Sequence, residues 1–98
     1  MLYIGVDLGT SAVKLLLMDG SGRIHKVVSR EYPLYFPHPA WSEQNPEDWF
    51  TASMDGMKEL TSECDKSQVA GISFGGQMHG LVTLDQADEV IRPAILWN

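Results

Sequence analysis

From Leu2 to Leu8 every second residue is apolar: Leu2, Ile4, Val6 and Leu8 alternate with Tyr3, Gly5 and Asp7. A period of two predicts a strand with one apolar face, so Asp7 points away from that face at the strand's end. Val13, Leu15 and Leu17 then alternate with Lys14, Leu16 and Met18. Both sides of this second segment are largely apolar, which predicts a central strand covered on two faces. Asp19-Gly20-Ser21-Gly22 is a turn signal, and a more polar third strand follows near Arg23 to Tyr32, closer to a sheet edge. Short connections make these three strands an antiparallel meander.

Pro33, Pro37 and Pro39 enforce an irregular segment up to Ser42. Asn45-Pro46-Glu47-Asp48 then reads as a helix start: Asn45 caps, Pro46 suits the first turn, and the two acids suit its positive end. Phe50, Met54, Met57, Leu60 and Cys64 recur at intervals of three and four and predict one buried helical stripe. The apolar run Val69 to Phe74 is a fourth strand, and arriving after a helix it is expected to lie parallel to an earlier one. A glycine-rich loop, Gly75 to Gly80, leads into a hairpin of Leu81 to Leu84 and Val90 to Ile91 around Gln86-Ala87-Asp88-Glu89. The chain ends on Pro93-Ala94-Ile95-Leu96-Trp97-Asn98, an apolar run with no cap or polar tail. Such an end is expected to be a cut within a structural element of a longer protein, and an exposed Ile95-Leu96-Trp97 favours self-association, most simply as a homodimer.

Composition narrows the function classes. With 98 residues, 44% hydrophobic and 20% charged, the chain is globular and large enough for one small core. A net charge of −6 with only seven unclustered basic residues excludes a nucleic-acid surface. No segment approaches the ~20 apolar residues of a bilayer span, so no membrane partner is expected. The single Cys64 cannot form an internal disulfide and fits a reducing, cytoplasmic setting.

The candidate chemistry lies in the first turn. Gly9 permits backbone conformations closed to other residues, and successive N–H groups in such a turn form a concave anion site. Thr10 and Ser11 add hydroxyl donors, Lys14 adds positive charge, and Asp7 can hold a hard cation directly or through water. A phosphate with its Mg²⁺ uses all of these groups together. The competing reading is a plain Gly-Thr-Ser hairpin beside a solvated acid. The turn is not a Walker A loop, because that spacing is absent and a strand follows it.

The order strand, strand, strand, helix, strand with an Asp-x-Gly-Thr-Ser first turn resembles the α/β ribonuclease-H-like, actin-like ATPase fold with its mixed sheet. Within it, Asp7-Leu8-Gly9-Thr10-Ser11, Trp41-Ser42-Glu43-Gln44, Gly76-Gln77-Met78-His79-Gly80 and Arg92 to Asn98 together resemble the FGGY carbohydrate kinases, along the chain from Tyr3 to Asn98. One such motif is weak; four in order are specific, and they displace the plain-hairpin reading. The resemblance implies that residues 1–98 are the N-terminal part of the first of two kinase domains. It implies ATP and Mg²⁺ as cofactors and a small-molecule sugar as substrate. The last two segments look most like those of members acting on D-xylulose, which would yield D-xylulose 5-phosphate.

By the same likeness, Asp7, Gly9, Thr10, Ser11 and Lys14 would contact the nucleotide phosphates, with Asp7 beside the metal. Gln77, Met78, His79 and Trp97 would contact the sugar. Sugar recognition needs hydrogen-bonding groups and an apolar surface; Gln77 and His79 can supply the first, Met78 and Trp97 the second. The catalytic base is expected downstream, so no catalytic residue is assigned within these residues. Runner-up readings are a kinase for another polyol or sugar acid and a nucleotide-switched actin-like binding module. Trp41 and Trp49 are read as packing residues, and His25 and His38 as surface residues.

Overall fold

In a computed structural model, which describes every residue from Met1 to Asn98, the first three strands are β1 (Leu2–Leu8), β2 (Ala12–Asp19) and β3 (Ile24–Glu31). They form the expected antiparallel meander, with β3 at the edge. In the turn after β2, the Asp19 carboxylate accepts hydrogen bonds from Ser21 and from the Arg23 N–H and contacts His25. The Ser21 hydroxyl and then His25 hold that carboxyl far below the ordinary carboxylate range. The chain next builds β4 (Glu43–Gln44), α1 (Pro46–Leu60), a single 3₁₀ turn at Lys66–Gln68, β5 (Val69–Gly76) and β6 (Ala94–Ile95). β5 runs parallel to β1, completing a mixed sheet of order β3-β2-β1-β5.

α1 begins as its sequence dictates: Asn45 caps it by accepting from the Glu47 N–H at 3.0 Å. It lies across β2 and β3, over a core of Ile4, Val6, Val13, Leu15, Leu17, Val28, Tyr32 and Leu60. Its contact face shares Met57 and Leu60 with the predicted stripe but turns away from Phe50 and Met54. Gly56 and Leu60 are buried, with Trp49, Ala52 and Met57 packed beside them, whereas Phe50 is 63% and Met54 44% exposed. The small residues decide this rotation. A Cβ on Gly56 would stand 2.6 Å from the Leu15 side chain, so the helix approaches the sheet closest along Ala52 and Gly56. Cys64 lies beyond the helix, which Thr61 terminates, but it still packs against the core.

Only one face of the sheet is covered. The expectation of a two-sided β2 is corrected: Val13, Leu15 and Leu17 are buried, but Lys14 is exposed and Leu16 only partly buried on the open face. β5 is longer than predicted and takes in Gly75 and Gly76; it is exposed along nearly its whole length, because α1 leans toward β2 and β3.

A second, two-stranded sheet joins the chain's end to the segment before the helix. β6 pairs with β4, the Leu96 N–H donates to Ser42 O at 2.9 Å, and Arg92 forms an ion pair with Glu43. Ala94 and Leu96 are therefore buried, so the exposed terminal run reduces to Ile95 and Trp97. The hairpin between Leu84 and Val90 consists of a single bridge. No helix is long and apolar enough to cross a membrane.

Candidate phosphate turn and the loop beside it

The first turn is fastened by its acceptors. The Gly9 carbonyl accepts from the Tyr32 hydroxyl, Thr10 O accepts from Gln44 Nε2 at 2.6 Å, and Ser11 O accepts from the Tyr32 N–H at 3.2 Å. The Gly9 N–H closes the turn onto Ala12 O at 2.9 Å. The N–H groups of Thr10 and Ser11 make no intramolecular bond. With every carbonyl tied back and two neighbouring donors free, the turn presents partial positive charge outward, the arrangement an anion requires. Glycine suits position 9 for space, since a Cβ there would stand 3.0 Å from Ala12 O, and not for a left-handed backbone.

Asp7 and Lys14 face each other in the β1–β2 register, and Gly75 of β5 lies on the other side of Asp7. Both charged side chains are exposed, on the sheet face that α1 leaves open. No group of three His, Cys, Asp or Glu residues gathers here or elsewhere in the chain. A lone carboxylate fits Mg²⁺, which keeps several waters and takes its remaining ligands from phosphate oxygens. Burial, and then the negative charge of Asp7, raise the Tyr32 phenol to about 12. Tyr32 therefore stays a hydrogen donor to the turn at neutral pH.

The glycine-rich loop starts from the same place. The Gln77 N–H donates to Leu8 O at 2.9 Å, where β1 ends. The Gln77 amide is engaged inside the protein: its Nε2 donates to Gln44 Oε1 at 3.2 Å, and the Thr10 hydroxyl points to its Oε1 at 3.4 Å. Met78 is 71% exposed, and exposed His79 takes a left-handed φ of 63°. Such a φ is uncommon outside glycine and turns this loop sharply. Gly80 then runs against Ile95 and Leu96.

Trp97 lies two residues beyond Ile95, which pairs with Leu81 just after the loop. It is 59% exposed and lines an open groove of about 730 Å³ with Phe36, His38, Trp41 and Asn98. His38 meets Trp41 edge-on at 4.6 Å, and the Ser42 hydroxyl donates to Asn98 Oδ1 at 3.1 Å. The structure thus unites Asp7, Gly9, Thr10, Ser11, Lys14 and Gln77 at one end of the sheet. Met78 and His79 follow at its rim, and Trp97 is in a neighbouring groove.

Sequence reasoning missed Tyr32 and Gln44 as the groups that hold the turn, and the Trp49 indole N–H that donates to Gln44 Oε1 at 3.0 Å. Gln44 is completely buried. A glutamine next to a glutamate gives no local sign of burial; only the pairing of β4 with β6 encloses it.

Residues 2–98 match the model of the FGGY family of carbohydrate kinases, N-terminal domain. The chain is 48% identical over 97 residues to the xylulose kinases of Staphylococcus epidermidis and Bacillus subtilis, covering 97% of this chain in each case. It spans only 20% and 19% of the length of those relatives. A gluconokinase of Bacillus subtilis is 33% identical over 94 residues, 96% of this chain and 18% of that protein. Among solved structures, a xylulose kinase from Brucella ovis superposes with a TM-score of 0.94 at 43% identity, covering 100% of this chain and 21% of its own. Plasmodium falciparum glycerol kinase, at 18% identity and a TM-score of 0.85 over 98% of this chain and 20% of its own, shares the fold.

Proposed function

Because the chain belongs to the FGGY family of carbohydrate kinases, we propose that its 98 residues open the first domain of a two-domain sugar kinase. In this reading the complete protein converts MgATP and D-xylulose to ADP and D-xylulose 5-phosphate. The supporting observation is the first turn, whose carbonyls are all fastened while the N–H groups of Thr10 and Ser11 stay free beside Asp7 and Lys14. The several xylulose kinases at 43–48% identity favour D-xylulose over gluconate, whose kinase stands at 33%.

The Thr10 and Ser11 N–H groups and hydroxyls take the terminal phosphates of the nucleotide, and Lys14 adds charge from the next strand. Asp7 holds Mg²⁺ through oxygen or water; when bound, the ion neutralises phosphate charge. Met78 and His79 on the turned loop, with Gln77 behind them and Trp97 as an apolar wall, orient the sugar. The C5 hydroxyl oxygen bonds to the γ-phosphorus as the bond to the bridging oxygen breaks, and ADP departs with those electrons. The hydroxyl proton passes to a carboxylate outside these 98 residues. Positioning and charge stabilisation supply most of the rate in such a transfer. Cys64, the only cysteine, is unpaired, compatible with a cytoplasmic enzyme.

The test is ADP release by the complete protein with MgATP and a panel of D-xylulose, D-ribulose, gluconate and glycerol. Turnover with D-xylulose that collapses in His79→Ala is the expected result. Turnover with gluconate alone would keep the reaction and change the substrate. ATP hydrolysis indifferent to every sugar would replace the kinase by a nucleotide-switched binding protein.

A further inference from the structure

One buried amide touches both halves of the site. Gln44 has no exposed surface, and its amide is oriented without ambiguity by its partners. The Trp49 indole N–H can only donate and meets Gln44 Oε1 at 3.0 Å, while the Thr10 carbonyl can only accept and meets Gln44 Nε2 at 2.6 Å. Gln44 Oε1 also accepts from Gln77 Nε2 at 3.2 Å, so the Gln77 amide is oriented in turn, with its Oε1 toward the Thr10 hydroxyl at 3.4 Å. Gln44 is itself fixed from behind: β4 pairs with β6, and the neighbouring Glu43 is held by Arg92. α1 supplies Trp49, which also packs on the core. The turn, the loop and the helix therefore converge on one side chain, whose backbone the terminal strand pairs with.

We infer that Gln44 is the positioning residue that sets the phosphate turn and the Gln77-Met78-His79 loop relative to each other, so that nucleotide and sugar are received at the correct separation. This rests on the kinase reading above. Gln44 touches neither substrate. It acts on the nucleotide through the Thr10 carbonyl, whose fastening leaves the adjacent N–H groups facing outward, and on the sugar through Gln77. A polar residue kept wholly buried with both sides of its amide engaged costs more when truncated than its bonds contribute, because the partners are left unsatisfied.

The experiment uses the complete protein, MgATP and D-xylulose. Gln44→Met keeps the volume and removes both hydrogen-bonding ends. The expected result is a rise of about tenfold in KM for MgATP and for D-xylulose together, the loss typical of one broken buried hydrogen bond on each side. A purely structural role would reduce the active fraction, and hence kcat, at unchanged KM. In the double variant with Gln77→Met, the D-xylulose KM should be no higher than in Gln77→Met alone, since Gln44 acts on the sugar through Gln77. Trp49→Phe removes the indole N–H, together with part of a ring that packs on the core, while leaving Gln44 in place, and guards against a misfolded Gln44 variant; it should move both KM values the same way by a smaller factor.

Folded Gln44→Met or Trp49→Phe protein with both KM values within about twofold of wild type, well short of the effect of a broken buried bond, overturns the inference and leaves the kinase intact. Additive effects of Gln44→Met and Gln77→Met on the D-xylulose KM overturn it too. A wild-type protein with no sugar-dependent turnover removes the kinase reading and the inference together, and is recognised because the wild type itself fails.

Discussion

At the scale of single residues, the turn owes its shape to a side chain distant in sequence. Tyr32 reaches back across 23 positions to donate its hydroxyl to the Gly9 carbonyl, while its own N–H holds Ser11 O. Tyr32→Phe removes only the first of these bonds, so a loss of about 1 kcal/mol in urea unfolding is expected, with little change in cooperativity. The phenol also sets a limit in alkali. Its pKa rises from the ordinary 10.0 to about 12, through burial first and the Asp7 charge second. A group whose pKa is raised by folding adds stability that is complete below its unfolded value and is lost as pH climbs through the folded one. Wild-type stability should therefore fall between about pH 10 and 12 by more than that of Tyr32→Phe; parallel curves for the two proteins would refute the assignment. None of this was readable along the chain. The Asp7 to Ser11 motif announced a ligand turn, but Tyr32 closed a polar strand and Gln44 followed a glutamate, and neither position carries a local sign of what it fastens.

At the scale of elements, alternation placed β1 and β2, a turn signal β3, a cap α1 and a short apolar run β5, because each is a short-range feature of the chain. The predicted stripe holds at Met57, Leu60 and Cys64 and fails at Phe50 and Met54 for a physical reason. Hydrophobicity points to Phe50 and Met54, but distance of approach is set by the smallest residues, Ala52 and Gly56. Gly56→Ala tests this. Helix propensity alone predicts a gain of about 1 kcal/mol for replacing an interior glycine. The new Cβ would lie 2.6 Å from the Leu15 side chain, which has no exposed surface into which to retreat. Overpacking of this kind costs about 1–3 kcal/mol, so a net loss of about 1 kcal/mol is expected in thermal or urea unfolding. A stabilised variant would show that α1 can lift from the sheet at no cost. Asn45→Ala should cost a similar amount, about 1 kcal/mol, through the lost bond to the Glu47 N–H.

At the scale of the whole molecule, the exposed apolar surface lies along the open β5 edge of the sheet. The terminal run was expected to be the sticky end, but β6 buries Ala94 and Leu96 against the segment before α1. β5 is different. It pairs on one side only, Ile72 is 49% and Phe74 74% exposed, and between it and α1 opens an apolar groove of about 680 Å³ lined by Val6, Leu8, Phe50, Met54, Ile72 and Phe74. A free edge with apolar flanks is a template for pairing with another strand. The 98-residue chain in isolation should accordingly self-associate as its concentration rises, and sedimentation velocity would show it. Phe74→Lys puts a charge on that edge without touching the core cluster, and should shift the chain toward monomer with its unfolding midpoint unchanged. Trp97→Lys changes a position outside that groove and should leave the association as it was. Monomer restored by Trp97→Lys and not by Phe74→Lys would return the sticky surface to the chain's end. The same geometry explains why the first turn is well formed although β5 leaves one edge of the sheet open. Tyr32 just past β3, Gln44 on β4 and Gln77 in the loop after β5 fasten it, and none of those contacts requires a covered outer edge.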